Sequence, residues 1–217
     1  MVRILAWRVP PYDNGTYLLH DERREAIVID PSMGEAEVLA AAKEEGLRVI
    51  EILNTHGHPD HIYGNAAVKE ATRARLAIHR LDAYRLDPRE RPRVSAESRA
   101  LIGDLLDDIP HASADDLIDE GPLGYVADID IEALHTPGHT EGSTCFYVRA
   151  EHVLFSGDVL FRGNLGRVDL PGGDARAMET SLARVAALPA ETRVYPGHGP
   201  QTSIGAELRW LRGFRFD

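Results

Sequence analysis

The sequence is sparing with cysteine, lysine, long apolar runs and positive charge, and each shortage closes off a class of protein. Cys145 is the single cysteine, so no intramolecular disulfide can form and a cluster of thiolates holding a metal is excluded. It stands in Thr144-Cys145-Phe146-Tyr147-Val148 and reads as an inert, buried strand residue. No stretch approaches the roughly 18 apolar residues of a membrane helix. The opening Met1-Val2-Arg3-Ile4-Leu5-Ala6-Trp7 is too short in apolar residues for a signal peptide. The expectation is a cytoplasmic protein with no membrane partner. The formal net charge is −11 and the isoelectric point about 5.3, which argues against nucleic acid as a partner, because phosphate binding wants a basic patch. Lysine occurs only as Lys43 and Lys69 while arginine is abundant, a pattern of genome composition. No Ser-His-Asp arrangement with nucleophile-elbow spacing is present.

What is present is ordinary for a soluble globular chain: 217 residues, 43% hydrophobic and 27% charged, enough to bury roughly 70% of the unfolded surface without staples. Short β-branched or apolar runs bounded by turn formers predict strands at Val2 to Val9, Thr16 to His20, Ala26 to Asp30, Val49 to Leu53 and Leu76 to His79. Helical spacing places a helix over Gly34 to Glu45, stopped by Gly46, and another from Asp60 to Ala71 with Pro59 in its first turn. Residues 80 to 121 are dense in charge. They read as either a functional lid or a loose, partly helical insertion, with a candidate helix from Ser95 to Ile109 striped by Leu101, Leu105, Leu106 and Ile109. Strands resume at Ile129 to His135, Ser143 to Val148, Val153 to Ser156 and Arg193 to Tyr195. Amphipathic helices are expected at Asp174 to Ala187 and Gly205 to Leu211. The grammar is that of two α/β halves.

The run Asn54-Thr55-His56-Gly57-His58-Pro59-Asp60-His61 directly follows an apolar strand. Burying such a group without a shared partner would cost several kcal/mol, and a bound metal satisfies all of its members together. Later segments add His139, Asp158 and His198, each at a strand end beside Gly or Pro, where a rigid sheet can hold ligands. His56, His58, Asp60, His61, His139, Asp158 and His198 are too many donors for one tetrahedral ion. The reading is two divalent metals: His56, His58 and His139 on the first, Asp60, His61 and His198 on the second, and Asp158 bridging, since a carboxylate has two oxygens to share. The N/O donor set suits zinc, with iron or manganese as alternatives. Two such ions roughly 3.5–4 Å apart would hold a bridging water with its pKa lowered toward about 7. Asp158 and Asp60 are the candidate catalytic carboxylates, Asp60 by orienting the hydroxide or receiving its proton. His135 reads as packing or support behind the ligands, Asp30 as orienting a ligand histidine or ending a strand. His20, His79, His111 and His152 read as surface or structural residues.

The HxHxDH signature at His56 to His61, with later motifs in order at His139, Asp158 and His198, resembles the metallo-β-lactamase superfamily over nearly the whole chain. Within it, Gly166-Arg167-Val168-Asp169-Leu170-Pro171-Gly172-Gly173-Asp174 and Tyr195 to Pro200 most resemble glyoxalase II-like hydrolases. The resemblance implies an α/β fold, an αββα four-layer sandwich with metals at one edge between the sheets, in a single domain over residues 1–217. It implies hydrolysis of a small thioester of the hydroxyacylglutathione type by a metal-bridging hydroxide. The C-terminal helical domain that helps bind glutathione in glyoxalase II is expected to be missing, and residues 80–121 are candidates for substitute contacts. Arg167 is a candidate substrate-binding residue. Glu141 replaces a proline of many relatives, with little expected effect.

Two rivals belong to the same superfamily. A mononuclear iron persulfide dioxygenase would use His56, His139 and Asp158. A lactonase or other ester hydrolase commonly carries a tyrosine near the bridging aspartate, where this chain has Phe161. A metal-binding module without catalysis is a further alternative.

Overall fold

Alternate residues along the apolar strands are buried on opposite faces, so each sheet needs cover on both sides. The computed structural model describes residues 2–92 and 109–216. In chain order the elements are β1 (Arg3–Val9), β2 (Asn14–His20), β3 (Glu25–Ile29), α1 (Glu35–Glu45), β4 (Arg48–Asn54), α2 (Pro59–Ile62), α3 (Asn65–Thr72), β5 (Arg75–His79), β6 (Asp116–Ile118), β7 (Gly121–Val126), β8 (Ile129–His135), β9 (Thr144–Val148), β10 (Val153–Gly157), α4 (Ala175–Val185), β11 (Arg193–Pro196), β12 (Thr202–Ser203) and α5 (Ile204–Leu211). The first sheet runs β1-β2-β3-β4-β5-β6 and the second β12-β11-β10-β9-β8-β7. In the first sheet β3, β4, β5 and β6 are parallel; in the second only β10 and β11 are.

Tyr17, Leu19, Ile27, Ile29 and Leu53 from the first sheet meet Ile129, Ile131, Phe146, Val148 and Phe155 from the second in one buried cluster. The opposite faces take the helices. Leu18, Val28, Ile52 and Leu76 pack with Val38 of α1 and Val68 of α3, and Leu134, Cys145, Leu154 and Val194 pack with Met178, Leu182 and Val185 of α4 and Ile204 and Leu211 of α5. The result is the αββα sandwich. Helix ends follow local chemistry: Asp174 accepts from Ala177 N at 2.8 Å to open α4, and Gly46, with φ +62°, closes α1. Cys145 is buried, and burial pushes its thiol up to about 12, as an inert packing residue requires. Among the described residues no helix is long and apolar enough to cross a membrane.

Two expectations need correction. The single helix from Asp60 to Ala71 is two helices with a break at Tyr63 and Gly64. Gly64 sits so close to the first sheet's exit loop that a Cβ there would lie 2.7 Å from the Ser32 carbonyl oxygen, so the chain turns where only glycine fits. The charged stretch 80–121 is not merely an insertion: β6, within it, pairs with β5 in parallel, and β7 begins at its last residue. Edge position explains why they were missed. Leu117 is 52% exposed, and Asp116 is bound by Arg75 through Nε–Oδ2 and Nη2–Oδ1 contacts of 2.7 and 2.5 Å, so the strand carries charge where an inner strand carries valine. The helix expected from Ser95 to Ile109 lies outside the described residues except for Ile109, which is buried.

Candidate metal centre

The turns that follow β3, β4, β8, β10 and β11 come together at one edge of the sandwich. Thr144 N donates to Thr55 O at 2.9 Å and Gly15 N to Gly197 O at 2.7 Å, stitching the two sheets there. His56 and His58 leave the end of β4; Pro59 then starts the single turn of α2, which carries Asp60 and His61. His139 follows β8, Asp158 follows β10 and His198 follows β11. Gly197 is needed for space: a Cβ there would fall 2.1 Å from Asp158 Oδ1.

All seven sequence-predicted ligands converge. His56, His58 and His139 form one group and Asp60, His61 and His198 another, and in each group one ligand-type atom per residue lies within 4.8 Å of the others. A third such grouping, His56, His61 and Asp158, joins them. Asp158 Oδ2 lies 3.3 Å from His139 Nε2 and 3.4 Å from His198 Nε2, while Oδ1 lies 3.3 Å from His61 Nε2. The carboxylate therefore faces both groups. His56 Nε2 and His139 Nε2 are buried without a hydrogen-bond partner. Orphaned buried nitrogens aimed into one space are costly as they stand, and a divalent cation would satisfy them, so these residues fit a metal.

The outward nitrogens are tied down, which fixes ring orientation. His61 Nδ1 lies 3.0 Å from Asp30 Oδ2. His139 Nδ1 donates to the Arg167 carbonyl at 2.7 Å and His198 Nδ1 to the Tyr12 carbonyl at 2.8 Å. Asp30 also accepts from Thr55 N at 2.8 Å and Thr55 Oγ1 at 2.6 Å, so of its two readings the orienting one holds. Burial holds His56, His58 and His139 below the ordinary imidazole range, with neighbouring imidazoles adding to the effect on His56 and His58; neutral rings are the form that ligates. Burial pulls His61 and His198 the same way, but the Asp60 and Asp158 carboxylates outweigh it. His61 is raised and His198 is pushed up to about 10. Burial alone would raise the Asp158 and Asp60 carboxyls, yet the adjacent imidazoles hold both well below the usual carboxylate range.

The structure adds residues that the sequence reading passed over. Asp82, fully buried, accepts from Gly57 N, Thr140 Oγ1 and Gly142 N, each at 2.8 Å, and Arg85 Nε lies 3.3 Å from its other side. It thereby ties the His56–His58 turn to the His139 turn. Asn14, in β2, is buried and donates to Asp60 Oδ2 at 2.9 Å. Glu141 takes part as well, binding Arg85 Nη2 at 2.5 Å and accepting from His135 Nε2 through its carbonyl at 2.9 Å. The Arg167 guanidinium grips Asp169 with two 2.7 Å contacts, and its backbone carbonyl is what reaches the ligands. Beside the cluster lies a cavity of about 320 Å³ whose largely apolar walls include Tyr12, Phe161, Leu170 and Pro171. The Phe161 ring meets His198 edge-on at 5.8 Å.

Comparison with known proteins identifies a family and a shared fold. The sequence profile of the metallo-beta-lactamase superfamily matches residues 11–198. The chain is 32% identical to "Probable metallo-hydrolase YqgX" of Bacillus subtilis, over 97% of this chain and 99% of that one. It is 36% identical to a hydroxyacylglutathione hydrolase of Polaromonas sp., over 88% of this chain but 64% of that protein. Among solved structures, the BLEG-1 B3 metallo-beta-lactamase superposes with a TM-score of 0.84 at 32% identity, over 95% and 97% of the two chains. TTHA1623 in a di-iron-bound form gives 0.80 at 35% identity over 94% and 97%. ETHE1 from Myxococcus xanthus gives 0.75 at 28% identity over 95% and 82%.

Proposed function

The chain belongs to the metallo-beta-lactamase superfamily of metal-dependent hydrolases, and we propose that it is a dinuclear thioesterase of the hydroxyacylglutathione hydrolase type. The observation that carries this reading is Asp158, whose two oxygens face both histidine groups at 3.3–3.4 Å. His56, His58 and His139 would hold one ion and Asp60, His61 and His198 the other, with Asp158 shared. Bound there, two divalent ions, zinc first and iron or manganese as alternatives, supply hydroxide at neutral pH and positive charge opposite the carbonyl oxygen as it gains negative charge.

The protein's own residues supply order around that chemistry. Asp30 and the carbonyls of Arg167 and Tyr12 aim the inward nitrogens of His61, His139 and His198. Asn14 fixes the Asp60 carboxylate, which is held ionised and ready to orient a hydroxide proton. Asp82 keeps the two turns of the first group in register. Tyr12, Phe161 and Leu170 give the small substrate an apolar seat and exclude bulk water from the scissile bond.

The family likeness to hydroxyacylglutathione hydrolases supports the thioester over other acyl groups, and no cysteine stands among the candidate ligands. The test is turnover of S-lactoylglutathione by metal-loaded protein, followed by thiol release, beside a lactone, a β-lactam and a persulfide. Preference for the thioester with two metals per chain is the expected result. Oxygen consumption on the persulfide with one iron per chain would replace this reading with the mononuclear dioxygenase.

A further inference from the structure

The cavity beside the metal residues is lined by Arg85, Arg91 and Arg167, and they are not equivalent. Arg85 is bound by Glu141 at 2.5 Å and faces Asp82 at 3.3 Å. Arg167 is bound through both nitrogens by Asp169. Arg91 has no such partner: its Nε donates to the Arg85 carbonyl at 2.7 Å, its Nη2 is buried with no hydrogen bond, and among the described residues no carboxylate lies within ion-pairing distance. Asp87, the acid whose charge reaches it, is itself held by Arg89 at 3.0 and 2.5 Å. Burial depresses the Arg91 pKa, though a guanidinium stays charged at any physiological pH.

A partly buried guanidinium with an unused donor, in a protein of net charge −11, is an unusual thing to find with no compensating carboxylate among the described residues. Apolar walls around it strengthen any charge-assisted hydrogen bond formed there. We propose that Arg91 binds a carboxylate of the substrate, so that the site selects anionic thioesters over neutral ones. This rests on the thioesterase reading. Arg85 and Arg167 shape the wall, and Arg91 provides the one cavity-lining guanidinium that no carboxylate among the described residues holds.

The carboxylate can belong to the thiol half of the substrate or to the acyl half, and small matched thioesters separate the two. S-acetyl-N-acetylcysteamine is neutral, S-acetyl-3-mercaptopropionate carries the charge on the thiol, and S-succinyl-N-acetylcysteamine carries it on the acyl group. Metal-loaded wild type is expected to favour one charged thioester, and the half that carries the charge names the source. In Arg91→Met the ratio of kcat/KM for that thioester over the neutral one should fall about 10- to 100-fold, as for loss of a hydrogen bond to a charged group. Arg91→Lys, which keeps the charge, should fall between. An unchanged ratio in Arg91→Met overturns the proposal, as does a wild type with no preference for charge.

A second arm needs no turnover. Calorimetry measures the binding of thioethers, with a methylene in place of the thioester carbonyl, as free acids and as primary amides. Wild type should bind the acid about 10-fold or more tightly than the amide, and Arg91→Met should lose that difference. If wild type hydrolyses no thioester, the thioesterase reading fails while this arm still decides Arg91: an acid preference that vanishes in Arg91→Met upholds it, and one that persists or never existed overturns it.

Discussion

Two sets of buried and half-buried histidines stand in this molecule and are built in opposite ways. In the candidate metal centre, the outward nitrogens of His61, His139 and His198 are fixed by Asp30 or by backbone carbonyls, and the inward ones face carboxylates and one another. His79 and His135 instead stack face to face, with ring centroids 4.1 Å apart and planes 10° from parallel. Their ring nitrogens are used locally, His79 Nδ1 accepting from Leu81 N at 3.3 Å and His135 Nε2 donating to Glu141 O. Burial, and after it the neighbouring His135 ring, lowers the His79 pKa. Burial itself thus does not mark a candidate ligand; convergence of inward nitrogens from several chain segments on one space does.

Substitution at the point where the two ligand groups meet should have the largest consequence. Asp158→Ala removes the carboxylate facing both, and thioester turnover should fall by about 10³-fold, the scale of losing a principal electrostatic element of a site, with metal content below two per chain by elemental mass spectrometry. Retention of two metals and of activity would dissolve the distinction between the histidine sets. Asp82→Ala comes next. It strands Gly57 N and Gly142 N in a fully buried place and leaves Glu141 as the acid holding Arg85, and a cost of about 2–6 kcal/mol in denaturant unfolding is expected, as for two buried donors left unsatisfied at about 1–3 kcal/mol each.

The sharpest pairing is Asp30→Asn against His135→Leu. Loss of the Asp30 charge behind His61 should weaken metal binding about 10- to 100-fold in chelator competition, whereas His135→Leu should leave metal content unchanged and alter only the melting temperature.

The last and smallest effect concerns an acid that serves no ligand. Burial, with Asp116 next, pushes the half-buried Glu51 carboxyl up to about 7, against an ordinary value of 4.5. Between those values the folded chain keeps a proton that the unfolded chain has released, so this group costs stability progressively as pH rises from about 4.5 to 7. Glu51→Gln should therefore gain melting temperature relative to wild type as pH rises through that window. A difference that stays flat with pH would contradict the assignment.

The strands of both sheets that face the core, and the helices at 34–45 and 174–187, were readable because periodicity is a local property. The His56–His61 run was readable for the same reason, and its later partners stood at strand ends beside glycine or proline. Edge strand β6 was hidden by its shortness and its charge, and β7 by the two glycines and the proline in it. Asp82 acts on Gly142 across 60 residues and Asn14 on Asp60 across 46; neither sits in any local pattern that announces it. Arg91 is one arginine in a run of charged residues, and the lack of any carboxylate among the described residues that pairs with it exists only in three dimensions.

The most direct test of the central claim is metal stoichiometry on protein purified without added metal, measured by elemental mass spectrometry alongside thioester turnover. Near two equivalents, falling together with activity on chelation and returning together on reconstitution, is the predicted result. One equivalent of iron, with full activity when Asp60 and His61 are replaced by alanine, would contradict it.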